Sequence, residues 1–200
     1  MEKKERYKGA LDLAWEDLQR REATETARLS GSRLCAGKIL LPCFDSRLQV
    51  DMQNRTMEVD GRGTDELTAI LALHYLSGCG ERGPTGELIS FAEAPGGEAY
   101  YSAFKARSID RLARAFADKP SELIMAGAKI NGKDVRIGSF AVEVQVFPKL
   151  MVTAILWEGD EEVPTAANVL FDSLAPSIVP TEDLAVAGSM VVARLIKAKG

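Results

Sequence analysis

At 200 residues the chain can bury a sizeable core, and its apolar and charged fractions of 46% and 27% exclude a disordered or fibrous chain. A formal charge of −4 argues against a nucleic-acid surface, which needs clustered Lys and Arg. No apolar stretch approaches the roughly 18 residues of a membrane span. Three irregularly spaced cysteines, Cys35, Cys43 and Cys79, fit reduced thiols in a cytoplasm better than a disulfide framework.

The charged start Met1-Glu2-Lys3-Lys4-Glu5-Arg6 has no apolar core of signal-peptide length. Leu11, Ala14, Trp15 and Leu18 then fall on one stripe, which predicts a single helix over residues 5–29, ended by Ser30-Gly31-Ser32. Apolar runs near 38–41, 46–52 and 55–59 read as strands in hairpin order, broken by Pro42 and by Gln53-Asn54-Arg55. Thr64 is expected to cap a helix with Asp65 and Glu66 in its first turn and an apolar stripe of Leu67, Ile70, Leu71 and His74, stopped by Gly78. Residues 80–86 are loop, 87–91 a short extended piece, and Pro95-Gly96-Gly97 introduces a helix reaching about Ala117. A shorter helix follows from Ser121 to about Lys129, and Asn131-Gly132 marks a turn. Phe140, Val142, Val144 and Val146 alternate with Ala141, Glu143 and Gln145, the period of a half-buried strand. Phe147-Pro148-Lys149 turns the chain so that residues 151–157 return beside it, and Pro180-Thr181 opens a last helix whose inner stripe is Leu184, Gly188, Val191 and Leu195. Helices and hairpins mix without a repeating strand–helix unit. The expected fold is α+β, a mainly antiparallel sheet of hairpins packed with several helices, one at each terminus. No linker divides the chain, so it reads as a single domain over 1–200, with residues 1–30 as a helical arm.

Two phosphate-site lookalikes fail on context. Gly78-Cys79-Gly80-Glu81-Arg82-Gly83 matches the dinucleotide fingerprint but follows a helix and runs into Pro84, whereas the fingerprint needs a strand before it and a helix after it. The stretch from Gly31 to Lys38 is one residue too long for a phosphate loop, and Ile39 stands where a magnesium-binding hydroxyl belongs. His74 is the only histidine, so no His–His zinc site exists within one chain. Cys35, Cys43, His74 and Cys79 lack the paired spacing of a zinc site, and whether they meet is open; His74 reads as a hydrogen-bonded residue at the core edge. No catalytic residue and no metal ligand is assigned. The basic residues of 105–114 alternate with Asp110 and apolar positions, the pattern of a solvated helix face.

Two segments have the composition of a binding site. Gly96 and Gly97 precede a helix and offer N–H groups to an anion, with Tyr100, Tyr101, Lys105 and Arg107 downstream. Trp157 stands before Glu158, Asp160, Glu161 and Glu162, an acidic turn with an expected buried aromatic anchor beside it, and Asp172 closes the following strand-like run. Crowded carboxylates either face solvent or hold a hard cation.

The pieces Ile70-Leu71-Ala72-Leu73-His74-Tyr75-Leu76, Gly96-Gly97 with Tyr101 and Phe104, Phe147-Pro148-Lys149, Leu156-Trp157-Glu158-Gly159-Asp160-Glu161-Glu162 and Asn168-Val169-Leu170-Phe171-Asp172 carry a resemblance. Together they are similar to the domain-of-unknown-function 3786 family of anaerobic bacteria and archaea. The resemblance implies no activity. Some relatives carry an N-terminal four-cysteine iron–sulfur segment, where this chain has a charged helix. The leading expectation is a cytoplasmic, non-catalytic small-molecule or cofactor-binding or accessory protein of anaerobic metabolism. It would use a pocket between the 96–107 and 157–172 segments for a small anionic ligand or a protein partner. Two other readings stand beside it: an enzyme using the carboxylates near Trp157 with a divalent cation, and a partner in corrinoid or iron–sulfur chemistry. The cofactor, the ligand and the oligomeric state are left open.

Overall fold

The structure is a computed structural model that describes residues 2–200, with side chains from Tyr7 onward. The chain gathers into two compact units. The first comprises Met1–Gly83, Phe147–Lys149 and Ser177–Pro180, and the second Pro84–Val146, Leu150–Pro176 and Thr181–Gly200.

In the first unit, helix α1 (Glu2–Gln19) buries Ala14, Trp15 and Leu18, as the stripe predicts. The single helix expected over 5–29 is in fact two. The chain breaks at residues 20–22 and resumes as α2 (Ala23–Leu29). Glu22 is extended there, and its carboxylate accepts the N–H groups of Thr24 and Glu25 at 2.9 and 2.7 Å. A glutamate caps this helix in place of the usual Ser, Thr, Asp or Asn, so the break carries no familiar signature. Those two backbone bonds hold the Glu22 carboxyl below its ordinary value.

A five-stranded antiparallel meander follows: β1 (Arg33–Cys35), β2 (Lys38–Cys43), β3 (Ser46–Asp51), β4 (Thr56–Val59) and β5 (Arg62–Gly63), in that spatial order. Ile39 faces Val50, Leu41 faces Leu48 and Val50 faces Met57, and all five are buried on one side of the sheet. Pro42 does not interrupt β2. It lies past the last β1 pair, Arg33 with Leu40, where no strand on that side asks for its missing N–H. Helix α3 (Glu66–Gly78) is capped by Asp65 rather than Thr64: the Asp65 carboxylate accepts Thr68 N at 3.0 Å and Thr68 Oγ1 at 2.7 Å. Eight of its residues, Thr68 through Leu73 with Tyr75 and Leu76, are buried, so it is a central helix wrapped on most sides. Leu67, expected on its inner stripe, is exposed.

The second unit opens with β6 (Leu88–Ser90) and a 3-10 turn, Phe91–Glu93. The helix predicted from Gly97 to about Ala117 is present as α4 (Gly97–Phe104) and α5 (Asp110–Phe116), joined by a π-helical turn at Lys105–Ile109. Helix α6 (Glu122–Lys129), β7 (Lys133–Asp134), β8 (Phe140–Phe147), β9 (Leu150–Trp157), β10 (Ala166–Asp172), α7 (Ala175–Ile178) and α8 (Thr181–Lys199) complete the chain. Its sheet has the order β6-β10-β9-β8-β7, so β10 inserts between β6 and β9 and is antiparallel to both. Helices α5 and α8 pack on this sheet. Gly188 permits the approach of α8: a Cβ there would lie 2.9 Å from the Phe104 ring, which stacks on Phe91 at 4.2 Å between centroids. The fold is α+β with antiparallel sheets, as the sequence pattern indicates. Among the described residues no helix is long and apolar enough to cross a membrane.

Candidate functional site

The Gly96–Gly97 pair is demanded by the backbone. Gly96 sits at φ +73°, in the left-handed region, and a Cβ on Gly97 would lie 1.9 Å from the Phe91 carbonyl oxygen. The Gly97 amide donates to Ala94 O at 2.8 Å, so this N–H already has an acceptor. Tyr100 is exposed and Tyr101 half-buried. Lys105 and Arg107 stand at least two turns further on, about 12–15 Å along the axis at 1.5 Å per residue. Lys105 Nζ pairs with Asp110 at 2.5 Å and Arg107 Nε donates to Ala103 O at 3.2 Å. Both heads are engaged on their own helix.

Asp172 is 2% exposed and organises a loop. One carboxylate oxygen accepts Thr85 N at 3.1 Å, Leu174 N at 2.9 Å and the Thr85 hydroxyl at 3.2 Å; the other accepts Gly86 N at 2.7 Å. Burial alone would raise this carboxyl, but the hydrogen bonds from Leu174, Thr85 and Gly86 outweigh it and hold it below the ordinary value. With every one of these donors satisfied, the side chain is a structural anchor.

Trp157 corrects an expectation. It is 41% exposed, not buried. Residues Val152, Thr153, Ala154, Ile155 and Leu156 of β9 are all buried, and Trp157 is the first residue beyond that cover. Opposite it on β10 stands Ala166, itself exposed, so nothing bulky closes this end. The acidic turn that follows is well defined. Asp160 N donates to Val163 O at 2.9 Å, and the Asp160 carboxylate accepts Glu162 N and Val163 N, each at 2.9 Å. These backbone bonds hold the Asp160 carboxyl below its ordinary value. Glu158, Glu161 and Glu162 are exposed, and no ion pair among the described residues engages them.

These pieces are not brought together. Trp157 and Asp172 lie near opposite ends of the β9–β10 pair, and the six steps along β10 from Ala166, opposite Trp157, to Asp172 span about 20 Å. Gly97 begins α4, whereas Ala117, just past the end of α5, accepts the Thr165 hydroxyl at 3.4 Å beside the acidic turn. That continuous helical path is about 30 Å long. The 96–107 start and the 157–163 turn therefore mark separate places.

In the first unit Cys35 is exposed while Cys43 and Cys79 are buried, and His74 is half-buried. Among the described residues no three of His, Cys, Asp or Glu are grouped to hold a metal. Burial pushes the Cys79 thiol up to about 11, against the Tyr75 hydroxyl and the charges of Lys149 and Arg21, which pull it down. A thiol so held is a core group, not an activated nucleophile. Sequence reasoning missed the role of Tyr75 and Lys149. The Tyr75 hydroxyl donates to Ser30 O at 2.8 Å and accepts Lys149 N at 3.0 Å, and its ring lies 4.7 Å from that of Phe147. Lys149 Nζ donates to Gly80 O and Arg82 O at 2.7 and 3.0 Å, fixing the glycine-rich loop. The Phe147-Pro148-Lys149 motif was the visible signal, and its meaning is a staple. An open groove of about 620 Å³ runs beside Val59, Asp60, Arg62, Gly63, Thr64 and Asp65. Its Asp65 carboxylate is occupied by Thr68.

Neither the curated proteins nor the solved structures yield a match to this chain. Residues 22–194 match the family described as Domain of unknown function (DUF3786), a span that holds both sheets, the Tyr75–Lys149 staple, the Asp172 anchor and the exposed Trp157, and the chain belongs to that family.

Proposed function

We propose that this chain is a non-catalytic accessory protein of anaerobic metabolism that holds a partner on the open end of its second sheet, at Trp157. The observation that carries this reading is the exposed indole at the end of β9. Among the polar–aromatic features of the sequence, Gly97 donates within its own turn, Lys105 pairs on its own helix and Asp172 holds a loop. Each has a role inside the fold. Trp157 and the carboxylates of Glu158, Glu161 and Glu162 have none there. A small-molecule site is concave and encloses most of its ligand. A rim of exposed side chains at a sheet end fits a macromolecular contact better, and Trp is among the residues most enriched at the energetic centre of such contacts.

Photo-crosslinking in the cells that make the chain tests the reading. A photoreactive residue placed at Val163 or at Ile137, both exposed, should give the same discrete heteromeric adduct. The same residue at Leu13, exposed on α1, should not. Adducts of equal yield from all three positions, or none from any, would refute it.

A further inference from the structure

Resting on that reading, we infer that the partner is a protein segment in which Lys or Arg flanks an apolar side chain. The apolar residues Trp157, Ile137 and Val163 all stand at this end of the sheet. Ser139 N donates to Leu156 O at 2.9 Å and Glu158 N donates to Ser139 Oγ at 3.0 Å, which ties the 135–139 segment against the end of β9. A Cβ on Gly138 would lie 3.4 Å from Trp157 Cε2, so the indole rests beside the Gly138 backbone, with Ile137 next in the chain and 39% exposed. Val163, 59% exposed, sits at the close of the acidic turn. The face is also preorganised. The Asp160 bonds to Glu162 and Val163, and the close approach of Gly159 to the Val163 carbonyl, fix the turn before any partner arrives.

Charge selects the partner. Glu158, Asp160, Glu161 and Glu162 lie within five residues of Trp157, and the adjoining 135–139 segment supplies Arg136 alone as a base. Beyond Ala117, Asp118 offsets Lys119, which also faces Glu122, so four acids against one arginine leave the turn net negative beside the apolar residues. Steps of this size along the chain keep the carboxylates within about one to two Debye lengths of the indole at physiological salt, roughly 8 Å each. Such a field attracts basic segments and repels phosphate backbones and anionic lipid surfaces. The indole face accepts an arginine or lysine as readily as an aliphatic side chain, because its ring quadrupole attracts a cation. A basic–apolar protein segment satisfies both parts of the surface at once.

The test pans the full-length chain against a displayed library of random peptides, beside Trp157→Ala and Glu161→Gln/Glu162→Gln variants, with sedimentation of the chain alone. Retained peptides should be enriched in Lys and Arg next to an apolar residue. Their affinity should fall about 30-fold in Trp157→Ala, the loss typical of a central interface aromatic. Their salt dependence should weaken in the Glu161→Gln/Glu162→Gln variant. Ile137→Ser offers a second lesion of the apolar centre should Trp157→Ala fail to fold. Peptides no more basic than the library, or retained equally by Trp157→Ala and Ile137→Ser, would overturn the inference. So would self-association of the chain that Trp157→Ala abolishes, since the occupant would then be a second copy. A crosslinked adduct at Val163 and Ile137 whose bound segment is not basic would end this inference while leaving the docking reading in place.

Discussion

Replacing Asp172 by Asn removes a charge without changing shape. The oxygen that accepts Thr85 N and Leu174 N can be kept by the amide carbonyl. The amide nitrogen then faces Gly86 N–H, a donor against a donor, where a 2.7 Å bond stood. One buried N–H is orphaned, at about 1–3 kcal/mol, and the remaining bonds lose their charge assistance, so the total cost is about 2–4 kcal/mol. The pH dependence carries the sharper test. The Asp172 carboxyl is held below its ordinary value in the folded chain, near 3.9 when unfolded. Above about pH 5 both states are ionised and its contribution is fully present. As pH falls below about 4 the unfolded chain takes up the proton first, and the contribution shrinks until the folded carboxyl also protonates. Urea unfolding of Asp172→Asn and the native chain across this range should show a stability gap that is flat at neutral pH and narrows in acid. A gap of constant size down to pH 3, or one below about 0.5 kcal/mol at neutral pH, would refute the anchoring role.

The two tryptophans should respond differently to truncation. Trp15→Ala, at a 4% exposed position, is expected to cost about 3–5 kcal/mol, and Trp157→Ala, at 41%, about 1 kcal/mol, measured by denaturant unfolding. Of the three fingerprint glycines only Gly78 should be sensitive to Ala, because its Cβ would lie 1.8 Å from Ile178 O while Gly80 and Gly83 have open space. Thermal melts of Gly78→Ala, Gly80→Ala and Gly83→Ala should separate the first, at about 1–3 kcal/mol or more, from the other two, near 0.5 kcal/mol or less.

What the sequence made legible follows from how local each signal is. The strand over residues 140–146, whose burial alternates from Val142 to Val146 though Ala141 is buried as well, the hairpin order of β2, β3 and β4, and the acidic first turn of α8 are short-range patterns, and the structure has them where they were read. Signals that needed a partner far along the chain were misread or missed. The pairing of β6 with β10, Leu170 opposite Ser90, joins residues eighty apart with no local mark. The Glu22 cap uses a residue type that usually lies inside helices, which concealed the break between α1 and α2. Gly78 read as a helix stop, and α3 does end there, but the approach of Ile178 O that also requires a glycine had no local mark. Asp172 read as a ligand candidate because a buried carboxylate and a binding carboxylate look alike in one dimension. Only its donors, Thr85, Gly86 and Leu174, tell them apart.

The same contrast gives Trp157 its weight. A tryptophan following five buried residues of a central strand reads as core on every local criterion, since the run before it is apolar and the strand is covered on both faces through Leu156. Continuing that cover by one residue would need only a larger side chain than Ala166 opposite, or a shorter turn than 158–165. Instead the turn is held out by the Asp160 bonds, the neighbour is a methyl, and the ring support comes from a glycine backbone at Gly138. Leaving an indole in water forfeits the burial that stabilises Trp15, so the fold gains little from Trp at this position. Residues that stabilise the chain, such as Tyr75, Lys149 and Asp172, have their polar groups satisfied from within. Trp157 has no such role inside the fold, and under the docking proposal its contact is supplied by the partner.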